Sequence, residues 1–291
     1  VKVTIVTPSF NQAAYLEEAI ESVLAQDHPD LEYAVVDGGS TDGSLEIIRR
    51  YEDRLAWWTS GPDRGQAAAL NTAFARASGD ALGWLNSDDA LLPGAVSRAA
   101  AELHGPTLLV YGRALFVDDA GREIFPLEAR PFDVEAMVRA CANHVVQPGS
   151  LFLRRAWELA GPFDEEAYYF FDFEFVLRLA QLAPGSVRAI DDTLATYRVH
   201  AESKSAGAPL AKARDYVRFA DRFLAGSGLP GEDAGRRAAY LAAGEYFYDA
   251  LELGPARRYL VRGFRPTRRA ASLLAKSLLP RRVVRLAKAR G

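Results

Sequence analysis

Leu85-Asn86-Ser87-Asp88-Asp89 is an acidic cluster that directly follows the apolar run 81–85. Carboxylates handed by a strand to its following loop lie at the carboxyl edge of a sheet, where open α/β sheets bind their ligands. Oxygen donors of this kind hold Mg2+ or Mn2+, with waters and substrate phosphates completing the shell. The competing reading makes Asp88 and Asp89 the start of a turn that caps a helix beginning near Pro93. Two further polar loops decide between them. Thr7-Pro8-Ser9-Phe10-Asn11-Gln12 and Asp37-Gly38-Gly39-Ser40-Thr41-Asp42-Gly43 each interrupt an apolar run, and their Gly, Pro, Asn and Ser content marks them as loops.

The elements that must position these loops alternate. Residues 1–6 and 31–36 read as short β-rich strands. The spacing of Leu16, Ala19, Ile20, Val23 and Leu24 predicts a helix over 14–26. A second helix is expected over 44–51, a strand over 55–59, a helix over 65–77 and the strand over 81–85. Such alternation implies right-handed crossovers and a mostly parallel sheet flanked by helices, an α/β fold. Three successive strand ends then bring polar loops to one edge, as a nucleotide site requires. The loop after the first strand lacks Gly-x-Gly-x-x-Gly, and the chain lacks a P-loop, so neither a dinucleotide fold nor a P-loop fold is indicated.

The stretches TPSFNQAAYLEEAIESVLAQ, VVDGGSTDGS, DRGQAAALNTAFARASGD and LGWLNSDD together resemble the family 2 glycosyltransferases, as do GPFDEEAYYFFDFEFVLRLA and YRVHAESKS. The pieces run in order from about Val3 to about Ser205. The resemblance implies the glycosyltransferase A-type (GT-A) fold, a nucleotide-diphosphate-sugar donor with UDP as the nucleotide first expected, a divalent metal (Mg2+ or Mn2+), and inversion at the anomeric carbon. Carried over residue by residue, it places Thr7, Pro8, Ser9 and Asn11 along the donor nucleotide and Asp37 at the base, with Gly39 and Ser40 of its loop among the donor-binding residues. Gly38 stands where many members have a second Asp. Arg64, Gly65, Gln66 and Asn71 match a segment bordering base and ribose. Asn86 replaces the first Asp of the family's Asp-x-Asp motif and is assigned, with Ser87 and Asp88, to the donor. Asp88 is the expected metal residue; Asp89 could equally cap the next helix and is left out of the expected metal ligands.

The chemistry of transfer sets the remaining roles. A leaving nucleoside diphosphate gathers negative charge that a divalent ion stabilises, and the acceptor hydroxyl needs a base on the opposite face. Asp172, in Phe170-Phe171-Asp172-Phe173-Glu174, is the candidate base. Family members often carry Glu-Asp here, and Phe171 replaces the Glu. The alternative is an N-cap, with Glu174 in the first helical turn. His200 ends Tyr197-Arg198-Val199-His200, where some members use a His as a further metal ligand; a solvated surface residue is the other reading. Arg198, Ser203 and Lys204 are assigned to the diphosphate from the same loop.

Domain organisation follows from these positions. Residues 1–205 form the expected glycosyltransferase domain, with a donor half of about 1–112 and an acceptor half of about 113–205. Residues 206–291 read as a helical region with helices over 210–224, 236–253, 256–263, 267–279 and 281–289. From Ala256 to the end there is no Asp or Glu, while the net charge of the whole chain is only -3. A basic amphipathic tail carrying Leu273, Leu274, Leu278, Leu279, Val283, Val284 and Leu286 suits an anionic membrane surface, unless its leucines pack on the core. Nucleic acid is not expected, because the tail lacks interleaved aromatics for stacking. Cys141 is the only cysteine, which rules out an intrachain disulfide and suits a reducing compartment. With no membrane-length apolar run, a cytoplasmic enzyme is expected, peripheral on the inner face of the cytoplasmic membrane. A non-catalytic nucleotide-sugar-binding scaffold remains open because of Asn86 and Phe171. A sugar-nucleotide pyrophosphorylase is less favoured, since residues 7–12 lack its Gly-rich basic loop.

Overall fold

The computed structural model describes residues 1–288 apart from 202, 205, 206, 265 and 266. The boundary expected at Ser205, and Arg265 and Arg290 of the basic tail, lie outside the described residues. The chain divides into two compact units.

The first unit comprises Val1–Phe132, His144–Glu165 and Phe175–Ala206. It holds a sheet of nine strands: β1 Val3–Ser9, β2 Leu31–Asp37, β3 Trp57–Ser60, β4 Ala81–Trp84, β5 Ala90–Leu91, β6 Leu109–Val117, β7 Glu123–Leu127, β8 Leu151–Leu153 and β9 Val187–Arg198. Their order is β3-β2-β1-β4-β8-β6-β9-β5, with β7 beside β6. The first four strands pair parallel, joined by the expected helical crossovers Ala13–Leu24, Ser44–Arg50 and Gln66–Arg76. Beyond β4 the sheet is mixed. β8 runs antiparallel to β4 and β6, β7 antiparallel to β6, and β5 antiparallel to β9. A tight turn at Asp118–Arg122 suffices to join β6 to β7, whereas parallel neighbours need a crossover.

Register aligns the edge that carries the loops. Ser9 lies opposite Asp37, Asp37 opposite Ser60, and Val6 opposite Trp84. Leu16, Ile20 and Val23 are fully buried against Val3, Ile5, Tyr33 and Val35, each contributing about 1.5–3 kcal/mol of burial. On the aromatic side, Phe74, Trp84, Phe152 and Phe163 meet edge to face. Gly83 lets β8 cross closely, because a Cβ there would lie 2.6 Å from Leu151.

The second unit comprises Asp133–Asn143, Glu166–Glu174 and Gly207–Gly291. Two stretches numbered well below 205 therefore cluster with the C-terminal helices. Those helices are Pro209–Arg218, continued by a π-helical turn at Phe219–Leu224, then Glu232–Asp249, Leu253–Arg262, Arg268–Ser277 and Arg281–Lys288. Ala213, Ala243, Phe247, Ala256 and Val284 form their core, with Leu273 packed against it. The tail's apolar residues are thus divided: Leu273 and Val284 face this core, while Leu278 and Leu279 are exposed. Some of its cations are also engaged, Arg269 with Glu245 at 2.9 Å and Arg281 with Glu252 at 3.9 Å. Among the described residues no helix is long and apolar enough to cross a membrane.

Candidate active site

β1 continues through Thr7-Pro8-Ser9, which the sequence reading assigns to a loop, so these residues are part of the sheet edge itself. Thr7 is fully buried and its hydroxyl meets the Tyr33 hydroxyl at 2.9 Å, a structural contact. Ser9 differs. It is buried, yet its Oγ has no hydrogen-bond partner among the described residues. A buried hydroxyl left without a partner is costly.

Asp37 organises the neighbouring loop. Its Oδ2 accepts from the Gly39 and Ser40 amides at 3.0 Å each and from Ser60 Oγ at 2.6 Å, and its Oδ1 accepts from the Ser40 hydroxyl. Asn11, at φ 52°, then clasps this loop: its amide donates to Ser40 Oγ and its Oδ1 accepts from the Thr41 amide. Gly38 leaves space that Asp63 approaches. A Cβ at Gly38 would lie 3.1 Å from Asp63 Oδ2 and 3.3 Å from the Phe10 ring.

Asn86 is held on every side. Its Oδ1 accepts from Gln66 Nε2 at 2.8 Å, and its Nδ2 donates to Asp89 Oδ2 at 3.0 Å and Gln147 Oε1 at 3.1 Å. An aspartate here would set a second carboxylate against Asp89 and lose both donors, which explains Asn at this position. Asp89 is not a helix cap, which removes one of the two readings the sequence leaves open for it. β5 intervenes, Gly94 precedes the helix Ala95–Ala101 without a side-chain cap, and Asp89 Oδ1 accepts from the Arg198 amide at 3.0 Å. Burial and the neighbouring Asp88 carboxylate push the Asp89 carboxyl well above the usual carboxylate range.

Asp88 and His200 converge from strand ends 112 residues apart, with His200 Nε2 3.1 Å from Asp88 Oδ2. The imidazole is enclosed, its ring 4.5 Å from that of Tyr15, and the His200 amide donates to Ser203 Oγ. The Asp88 side chain keeps 19% of its surface exposed, so a ligand can reach it. No third His, Cys, Asp or Glu joins them among the described residues. The Asp88 carboxylate is the donor type that suits a hard ion such as Mg2+ or Mn2+, and His200 adds an imidazole beside it.

Arg198 belongs to the frame and not to the diphosphate site expected for it. Its buried guanidinium donates to the carbonyls of Asp88, Asp118 and Asp119 and to Glu18 Oε2. Lys204 donates to Gln66 Oε1 at 3.0 Å, which ties the His200 loop to the helix Gln66–Arg76. Gly65, at φ 102°, begins that helix, and Ser87 is buried in the turn after β4. Arg64 is exposed and pairs with Glu165. Asn71 spends its amide on the backbone of Phe163, bracing the 161–165 turn. Gln147, Tyr15 and Glu18 escaped the sequence reading, because only the fold brings them beside Asn86, His200 and Arg198.

Asp172 belongs to the second unit. It is the second residue of the helix Phe171–Leu182 and not its N-cap. Its Oδ1 accepts from the Phe173 amide at 2.7 Å and its Oδ2 from Asn143 Nδ2 at 3.1 Å.

Comparison with known proteins matches residues 4–158, more than half of the chain, to glycosyl transferase family 2. Chondroitin synthase of Escherichia coli is 30% identical over 191 residues, 62% of this chain and 27% of the synthase. A glycosyltransferase of a Nostoc strain is 26% identical over 68% of this chain and 65% of its own length. The chain thus spans under two thirds of these relatives. Among solved structures, S. aureus TarS in complex with UDP-GlcNAc superposes with a TM-score of 0.66 at 17% identity, covering 99% of this chain and 88% of that one. A mannosyltransferase from Pyrobaculum calidifontis, in complex with GDP-Man and Mn2+, gives 0.62 at 22% identity over 94% and 78%. The α/β fold is that of the GT-A glycosyltransferases.

Proposed function

Because the chain belongs to glycosyl transferase family 2, we propose that it moves a sugar from a nucleoside-diphosphate donor, with inversion, to a hydroxyl of a glycan or lipid-linked acceptor. The observation that carries this reading is the Asp88–His200 pair, two ligands of the right chemistry at the sheet edge that also holds Ser9 and Asp37. Asp88 and His200 would hold Mg2+ or Mn2+, which supplies charge stabilisation to the departing diphosphate. Ser9, with its unpartnered hydroxyl, and the loops clasped by Asn11 would seat the nucleoside. Asp172 would take the proton of the acceptor hydroxyl. UDP is the first nucleotide to test, given the UDP-GlcNAc held by the TarS structure, with GDP second.

The test is nucleoside-diphosphate release from UDP-glucose, UDP-N-acetylglucosamine and GDP-mannose, with and without Mn2+. Release that requires Mn2+ is expected. No release from any of the three would favour the non-catalytic scaffold.

The tail extends the reading to the acceptor. A lipid-linked acceptor would be met at the inner face of the cytoplasmic membrane, and bacterial surface polysaccharide is the product class this suits. Val261, Phe264, Leu278 and Leu279 are exposed in a stretch rich in arginine, apolar and cationic groups of the kind a membrane surface takes. Truncation before Arg281 is expected to weaken sedimentation with anionic liposomes while leaving nucleotide binding intact. The binding of the full chain should fade with salt. Equal liposome binding by both proteins would remove the membrane from the account.

A further inference from the structure

The helix that carries Asp172 begins on a buried ionic network contributed by the C-terminal helices. Asp215, 3% exposed, accepts from the backbone amides of Tyr169 and Phe170, the latter at 3.0 Å. These amides immediately precede the helix Phe171–Leu182, so Asp215 pins the backbone that leads into its first turn. Arg218 binds both sides of the junction: its Nε donates to Asp215 Oδ1 at 2.7 Å, and its Nη2 donates to Glu174, which is 1% exposed. Phe170 stacks on Phe219 at 4.5 Å and 9°, and Phe173 on the same ring at 5.3 Å. Asp172 sits between these clamped neighbours, with Phe170 and Tyr169 before it and Phe173 and Glu174 after it.

The geometry points to Asp215 and Arg218 as positioning residues for Asp172: they fix the first turn of its helix, and with it the orientation of the carboxylate, from a region outside the matched family segment. This rests on the reading of Asp172 as the base. A merely solvating ion pair does not take this form. Desolvated charges are costly unless each is fully bonded, and here Asp215 holds two successive backbone amides while Arg218 ties it to Glu174 in the first turn of the helix. A reacting group displaced by about 1 Å loses up to 10²-fold in rate, so modest loosening of this turn is felt in turnover.

The experiment compares Asp215→Ala, Arg218→Lys, Asp172→Asn and the double variant Asp172→Asn/Asp215→Ala. Hydrogen exchange is read over residues 166–176, and Mn2+-dependent release from UDP-sugar, with water as the acceptor whose proton Asp172 would take, is read as kcat and donor KM. In Asp215→Ala, faster exchange at Tyr169 and Phe170 is expected, with kcat down by about 10–10²-fold and donor KM changed by less than about twofold. Arg218→Lys keeps the charge but not the two-sided grip, and should lose less. In the Asp172→Asn background, Asp215→Ala should cost almost nothing further, since both changes act on one group. Full additivity, or unchanged exchange and kcat in Asp215→Ala, would overturn the positioning role. Wild-type turnover by Asp172→Asn would instead sink the base reading on which it rests. If Asp215→Ala fails to fold, Arg218→Lys carries the same comparison of kcat, donor KM and exchange.

Discussion

Asp172→Asn is expected to bind nucleotide normally while sugar transfer falls by about 10²–10⁴-fold, the loss typical of a removed general base. The substitution is close to isosteric. One carbonyl oxygen can still accept from the Phe173 amide, and Asn143 can turn its own amide to meet the new NH2 group. The first turn of the helix should therefore survive, and thermal unfolding should barely move. What disappears is the proton acceptor. Since the proposed base acts on the acceptor hydroxyl, donor KM should hold while kcat drops, the pattern of an interaction made only in the transition state. Transfer at a near wild-type rate would reduce Asp172 to a residue of the helix start.

Asp88→Ala is expected to abolish the metal-dependent part of donor binding and to lower turnover by about 10²–10³-fold, through loss of a main charge stabiliser. The alanine also strips His200 Nε2 of its 3.1 Å partner, so a general loosening of the loop must be separated from loss of the metal. Asp88→Asn does this. It can keep a hydrogen bond to the imidazole yet is a much poorer ligand for a hard cation, and should lose nearly as much activity with little change in stability. Near-normal Mn2+-dependent turnover in both variants would remove Asp88 from the metal.

The parts of this site legible in the sequence are those set by local pattern. Strand–loop–helix alternation over the first 85 residues places Ser9, Asp37 and Asp88 at ends of neighbouring strands, because short apolar runs and helical spacing report directly on the elements that bury them. Roles that depend on distant partners were not legible. Asp89 reads equally as a cap or as a neighbour of the metal residue, but Arg198 reaches it from 109 positions away. Arg198 reads as a phosphate ligand, yet the carbonyls it satisfies lie in loops that no periodicity connects to it. Asn71 matches a nucleotide-bordering segment, while its amide is claimed by Phe163, 92 residues on. The mixed half of the sheet escaped for the same reason: β5 and β8 have two and three residues, too short for a period, and are strands only because long-range pairing makes them so. His200 lies between these cases, since its type and its place after a strand suggest a ligand but only the fold brings Asp88 to it.

The central claim is that the edge built by Ser9, Asp37, Asp88 and His200 binds a nucleoside diphosphate through a divalent ion. The measurement that tests it most directly is calorimetric titration of UDP, GDP, dTDP and CMP into the full chain, with and without Mn2+, repeated on Asp88→Ala. One diphosphate should bind markedly more tightly with Mn2+, and that gain should vanish in the variant. Equal affinity for every nucleotide with and without Mn2+, or a metal-dependent gain that persists in Asp88→Ala, would contradict it.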